Sequence, residues 1–349
     1  MYSDSLKIKN LTIKNRIAIP PMVCFYWPDE NGYVTQKNID HYKELAEGGA
    51  GLIIVEATAI TKRSKLHETE LGIWEDGQIE GLKKITDVIH ANGAKAFIQL
   101  LHAGANGIDK NADAPSTKDY RFGNQGIEMS KERIKETVDD FVRAALRAKA
   151  AGFDGVELHG CHGYLISCFC NRNFNTRSDE YGRDRTLFAK EILKAVKAAV
   201  GEDFIVGIRF GVFEPLLEDG LQNAKEIAPY TDFFDVSYGT ECQGTSPEGY
   251  LCSEAVYGAS LIKKEYPHIP VFGVHNINSK EDVINALNTG IDMVDVGRVS
   301  LADPAFARHI INDEPAGKCL HCKNYCRWDP PKMADSNLKC PGYEQFKRK

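Results

Sequence analysis

The chain has 349 residues, 43% of them hydrophobic and 26% charged, and a formal charge of −6. That composition is ordinary for a globular protein, with no run near the roughly 18 apolar residues of a membrane span and no basic block able to neutralise a row of phosphates. A membrane span and a nucleic-acid partner are therefore not expected, and the opening MYSDSLKIKN, without a basic n-region or an apolar core, leads us to expect a cytoplasmic protein.

In chain order, LKIKNLTIKN alternates apolar and polar residues around Asn10 and predicts a small hairpin. Eight short apolar runs follow at residues 17–23, 51–58, 95–101, 155–160, 205–211, 233–239, 271–277 and 293–299. They are continuously hydrophobic, as strands of a parallel sheet covered on both faces are. Amphipathic segments separate them, at about 35–48, 81–92, 130–152, 185–200, 221–229, 253–266 and 279–289, with a last one at 303–313. In the third, Ser130 stands at the start and Gly152 provides the stop. Strand then helix, eight times over, predicts an α/β fold, a single (β/α)₈ barrel. An open doubly wound sheet is the rival, but no GxGxxG follows the first strand. The expected division is a barrel over residues 1–314 and a cysteine-rich extension over 315–349.

Chemistry in such a barrel belongs at the C-terminal ends of the strands. Read in turn, those ends hold Pro20, Pro21, Met22, Val23 and Cys24; Glu56, Ala57 and Thr58; Gln99, His102, Ala103 and Gly104; His159, His162 and Tyr164; Arg209; Ser237 and Gly239; Gly273, His275 and Asn276; and Gly297 with Arg298. Glu56 is the one acid among them. A metal-dependent hydrolase, the alternative reading, would have to use His159, His162 and either His102 or His275. Glycine lets a phosphate oxygen approach the main chain and arginine adds charge, so Gly273, Gly297 and Arg298 are candidates for a phosphate at the loops after strands seven and eight. Arg209 has no carboxylate beside it in sequence, and an anionic ring system would suit it.

Residues three apart on a strand point to opposite faces, so His159 and His162 converge only if the chain turns after Gly160. Together they would offer N–H donors to an oxyanion, with the Tyr164 phenol as proton donor; alternatively they are core histidines bonded to backbone carbonyls.

These residues, with KNRIAIPPM (14–22), GLIIVEAT (51–58), LGIW (71–74), IQLLHAG (98–104), GFDGVELHGCHGYL (152–165), RSDEYG (177–182) and VGRVSLADP (296–304), resemble the Old Yellow Enzymes, flavin-dependent ene-reductases. The resemblance implies FMN across the barrel top, its phosphate near Gly273, Gly297 and Arg298, its ring contacted by Gln99 and Arg209, and Pro21, Met22, Val23 and Ala57 lining the remainder. It further implies that NADH or NADPH reduces the flavin, that His159 and His162 grip the oxygen of an enone, nitroalkene or dienoyl thioester, and that Tyr164 protonates the α-carbon after hydride reaches the β-carbon from flavin N5. Val23 stands where relatives usually carry threonine or cysteine, Phe25 where some place a tyrosine, and YGRDR is shorter than the usual form.

The chain has ten cysteines. Cys24, Cys161, Cys168, Cys170, Cys242 and Cys252 are scattered and read as small buried apolar residues. Cys319, Cys322, Cys326 and Cys340 form C-x₂-C-x₃-C-x₁₃-C, which suits zinc or a [4Fe–4S] cluster. The pattern resembles the 2,4-dienoyl-CoA reductase and enoate reductase branch, where the cluster relays electrons from a second flavin domain. Few residues follow Cys340, so that domain is expected to be absent. The tail would then hold a cluster fed by a separate electron-donor protein, a structural zinc, or no ligand; a homo-oligomer is left open.

Overall fold

Apolar runs buried on both faces can satisfy their main-chain N–H and C=O groups only by pairing sideways, and all eight do so. The computed structural model describes residues 1–109, 111–120, 124–240, 244–323, 326–335 and 340–347. The strands are β1 (Ile17–Ile19), β2 (Leu52–Ala59), β3 (Lys95–Leu101), β4 (Gly155–Gly160), β5 (Ile205–Gly211), β6 (Phe234–Ser237), β7 (Val271–Gly273) and β8 (Met293–Asp295). They pair in parallel, in sequence order, into a closed barrel. The registers that matter for the site are Gln99 opposite Glu157, His159 opposite Arg209, and Arg209 opposite Asp235. Around it lie α1 (Gln36–Glu47), α2 (Ile79–Ala91), α3 (Lys131–Ala150), α4 (Leu187–Val200), α5 (Leu217–Ile227), α6 (Glu254–Glu265) and α7 (Lys280–Asn288), then two short helices, α8 (Gly297–Ala302) and α9 (Phe306–Ile311).

Several expected boundaries shift for local reasons. β1 stops at Ile19 because Pro20 and Pro21 have no N–H to give a ladder. β7 stops at Gly273, and the exit that follows carries positive φ at His275 (83°) and Asn276 (56°). The last expected strand, 293–299, stops at Asp295 and α8 takes up its remainder, while the helix expected over 303–313 begins only at Phe306, because proline disfavours helical backbone in the residue before it. Asp303 is accordingly extended, and its carboxylate accepts from the N–H groups of Ala305 and Gly317. At the start of α3 the Ser130 hydroxyl accepts from the Arg133 N–H at 3.1 Å, and Gly152 follows the helix with φ 87°.

The expected hairpin pairs Leu6–Ile8 with Leu11–Ile13. Its Leu6, Ile8 and Ile13 cap a bottom layer of Leu52, Ile54, Phe97, Phe233, Phe272 and Met293. Phe233 stacks on Phe272 with centroids 4.9 Å apart. Each such ring removed from water is worth about 1.5–3 kcal/mol, so the lower barrel is a packed plug and any opening must be at the other end. There, β3 runs into an excursion that was not expected: strands at Asn111–Ala114, Lys118–Asp119 and Gln125–Glu128 form a small separate sheet. Asp113 pins it, 2.8 Å from Arg133 of α3 and 3.3 Å from the His102 ring.

Close helix–strand contact gives a first expected result. Alanine at Gly220 of α5 would gain about 1 kcal/mol of helix propensity, yet its Cβ would lie 1.8 Å from the Val212 carbonyl oxygen. Gly220→Ala is expected to lower stability by about 1–3 kcal/mol, read as a lower Tm.

Candidate active site

The turn after β4 brings the two histidines together. His162 adopts φ 63° and Gly163 φ 79°, left-handed values that are costly for histidine and persist where neighbours hold them. The neighbours are identifiable. The Gly163 carbonyl accepts from the Asn106 amide, and the Gly163 N–H donates to the Ser167 hydroxyl at 3.2 Å. Ser167 in turn donates to the buried carboxylate of Glu214, which also accepts from Asn171. Burial pushes Glu214 up to about 7 against those bonds. Tyr164 caps the short helix Leu165–Cys170 that this anchor holds.

The rings meet edge to face with centroids 5.3 Å apart, and His159 Nε2 lies 3.1 Å from His162 Nδ1. The chain of contacts continues from His162 Nε2 to Ser237 Oγ at 2.8 Å and from Ser237 Oγ to His275 Nε2 at 3.2 Å. His159 Nδ1 has no partner among the described residues, so satisfaction by backbone carbonyls is not how this pair is held. Burial lowers both pKa values, His162 to about 3, with Arg209 adding repulsion in each case and His162 itself adding to that on His159. The rings are therefore neutral near pH 7. Tyr164 sets its ring against His159 at 4.6 Å and packs in one cluster with Val23, Ala57, Leu66, Leu101 and Ala103.

Below the histidines the barrel interior is charged, and Arg209, with no carboxylate beside it in sequence, meets two across the barrel. Its guanidinium donates to Asp235 at 2.7 Å and lies 3.9 Å from Asp295. Gln99 Nε2 donates to Glu157 at 2.7 Å. Three carboxylates and one arginine thus share the upper interior, where the strand ends had suggested few acids. Arg209 is 6% exposed and Asp295 1%. Their signal was present, since GVELHG, FFDVSYG and MVDVGRV each carry an acid inside an otherwise apolar run. Each of these acids lies inside its run rather than at the C-terminal end.

A cavity of about 400 Å³ opens at this end, lined by Pro20, Pro21, Met22, Arg209, His275, Asp295, Gly297 and Arg298 among others. It gathers five of the nine expected cofactor residues: Pro21, Met22, Arg209, Gly297 and Arg298. A Cβ on Gly297 would face Pro20 and Met22 at 3.3 and 3.6 Å. Arg298, exposed at the rim, donates to Asn276 at 2.9 Å and lies 3.3 Å from His321 of the tail. Val23 and Ala57 stand beside Tyr164, and Gln99 lies deeper, on Glu157. Gly273 differs: a Cβ there would meet Ile291 at 2.7 Å and then Val256 and Ala259, so the side that lacks a Cβ faces packed side chains outside the barrel wall.

Cys24, Cys161, Cys168 and Cys170 are buried as expected, Cys252 is half-buried, and Cys242 lies outside the described residues. The tail thiols Cys319, Cys322, Cys326 and Cys340 are unpaired and partly exposed. Burial and then the neighbouring thiols Cys340, Cys326 and Cys319 push the Cys322 thiol up. His159, Cys161 and His162 place potential ligand atoms within 4.8 Å of one another. Of the other histidines of the hydrolase reading, His102 is engaged with Asp113 and His275 reaches His162 only through Ser237. No described helix is long and apolar enough to cross a membrane.

The model of the NADH:flavin oxidoreductase / NADH oxidase family matches residues 4–316. Among solved structures, 2-naphthoyl-CoA reductase, in complex with 2-naphthoyl-CoA, superposes with a TM-score of 0.82 at 25% identity, over 90% of this chain and 52% of that one. An old yellow enzyme homologue from Zymomonas mobilis gives 0.79 at 25% identity over 97% and 99%. Histamine dehydrogenase from Rhizobium sp. 4-9 gives 0.77 at 29% over 89% and 48%. The chain spans about half the length of the first and third of these proteins.

Proposed function

Because the chain belongs to the NADH:flavin oxidoreductase / NADH oxidase family, and as an Old Yellow Enzyme relative is an FMN-dependent oxidoreductase rather than a hydrolase, we propose that it reduces activated alkenes at the expense of NADH or NADPH. The observation that carries this reading is the adjacency of two sites: a cavity with the buried Arg209 and His275 on its wall, and a neutral histidine pair with Tyr164 beside it, joined to that wall by the pairing of His159 with Arg209 and by the chain from His162 through Ser237 to His275.

The residues present fit the cofactor. The apolar wall from Pro20 to Met22 suits the face of a ring, Arg209 a negative edge, and Gly297 with Arg298 a phosphate at the rim. Asp295 borders the same cavity, with no donor to its carboxylate oxygens among the described residues, so the wall beneath that edge is polar. Gln99, Val23 and Ala57 complete the proposed set, with only the main chain of Gly273 available on that side. When bound, FMN supplies the hydride chemistry between the nicotinamide and the alkene.

The protein's own part is polarisation and proton delivery. If His275 Nε2–H donates to Ser237 and the Ser237 hydroxyl donates to His162 Nε2, the Nδ1–H of His162 faces the same point as His159 Nε2. A carbonyl or nitro oxygen placed there replaces the bond between the rings, in which His159 Nε2 must accept; once the His159 proton moves from its unpartnered Nδ1 to Nε2, the oxygen receives two neutral N–H donors and is stabilised as it gains charge. Tyr164, held by the helix anchored on Glu214, gives its phenolic proton to the α-carbon. Cys319, Cys322, Cys326 and Cys340 we assign as thiolate ligands of one centre, a [4Fe–4S] cluster or zinc, which metal and acid-labile sulfide analysis of anaerobically prepared protein separates.

The test is anaerobic mixing. FMN-loaded protein should bleach with NADH or NADPH and regain its colour with an enone, a nitroalkene or a dienoyl thioester. Tyr164→Phe is expected to slow the second step by about 10²- to 10⁴-fold and leave the first unchanged. Equal loss in both steps, or FMN-bound protein that none of these substrates reoxidises, would contradict the reading.

A further inference from the structure

Four oxygens in the barrel interior lack a hydrogen-bond donor among the described residues: Glu157 Oε2, Asp235 Oδ1 and both oxygens of Asp295. The one cation among them, Arg209, is committed to Asp235 at 2.7 Å and stands 3.9 Å from Asp295. Ionised carboxylates only accept hydrogen bonds, so acids packed this closely can bond to one another only through a proton held on one of them. Asp235 is within such reach of both Asp295 and Glu157, and burial followed by the charge of Asp235 pushes both of those carboxyls well up. The groups facing Asp295 are these three from across the barrel, with His275 and Arg298 at the cavity rim. The flanking strands β1 and β7 carry no titratable side chain.

Resting on the FMN reading above, we propose that Asp295, with Asp235 and Glu157, is a proton-accepting site that takes up one proton from solvent when the ring system held against Arg209 is reduced. Reduction by NADH or NADPH moves one hydride, a proton with two electrons, and leaves NAD⁺ or NADP⁺. The ring thereby gains one negative charge in a cavity whose guanidinium is already paired. The charge is offset as a proton from water forms an O–H bond at Asp295, with no electron passing to the protein. Asp295 thus acts through the ring's environment and is a positioning residue, touching neither nicotinamide nor alkene.

The reduction potential of the FMN-bound protein, measured spectroelectrochemically between pH 6 and pH 9, tests this. Each proton accompanying two electrons contributes about 30 mV per pH unit. The wild type is expected to show about 60 mV per pH unit, Asp295→Asn half of that, and Asp295→Glu the wild-type slope again. A wild-type slope of about 30 mV overturns the proposal whether or not the variants fold, and so does an unchanged slope in a folded Asp295→Asn. Protein that takes up no FMN would instead remove the functional reading, and this one with it.

Discussion

His162→Ala is expected to lower the rate of alkene reduction by about 10²- to 10³-fold, the usual cost of removing one donor from a developing oxyanion, while bleaching by NADH or NADPH keeps its wild-type rate. The separation follows from position: His162 is engaged with His159 and Ser237, at 3.1 and 2.8 Å, and does not border the Pro20–Met22 wall. His159→Ala should behave alike, and the double variant should lose less than the product of the two, since residues sharing one bonded network are not additive. Burial lowers both imidazoles from the ordinary histidine value, His162 to about 3. The rate of the alkene step should therefore show no titration at the ordinary histidine value between pH 5 and pH 8. A stopped-flow series over that range checks both points.

Arg209→Met should be the most damaging change to the folded state. It removes the cation from Glu157, Asp235 and Asp295, and breaking a buried pair by deleting one partner costs about 3–5 kcal/mol. The pH dependence has a definite sign. Glu157 and Asp295 already bind protons more tightly folded than unfolded, and Arg209 is one of the influences holding them down. Without it their folded pKa values rise further, so the folded state binds more protons than the unfolded chain and stability falls as pH rises. The penalty in the variant should be small while the wild type itself still holds these protons and grow as pH rises past its own raised values. Thermal unfolding at pH 5 and pH 8 reads this: the Tm gap to wild type should widen at pH 8. FMN retention should fall as well.

The parallel barrel was legible because strands buried on both faces announce themselves as unbroken apolar runs, and KAFIQLL, GVELHG and IVGIRFG became strands with the expected ends. The turn that joins His159 to His162 was legible because Gly160 and Gly163 flank it. The small sheet over 111–128 was not. Its strands are two to four residues long and polar, as in QGIE and KD, and what holds them is the remote pair Asp113 and Arg133. Periodicity carries no trace of such a pair. The interior charge cluster depends in the same way on register across four strands, because Arg209 meets Asp235 only when β5 and β6 align. Nothing adjacent in sequence to Arg209 points to that carboxylate.

The position of a substrate's oxygen is decisive. A crystal structure of FMN-loaded protein with a bound enone analogue is predicted to place that oxygen within hydrogen-bond reach, about 2.7–3.2 Å, of one nitrogen on each of His159 and His162. Finding either imidazole ligating a metal, or the oxygen bound elsewhere with the two rings still bonded to each other, would contradict it.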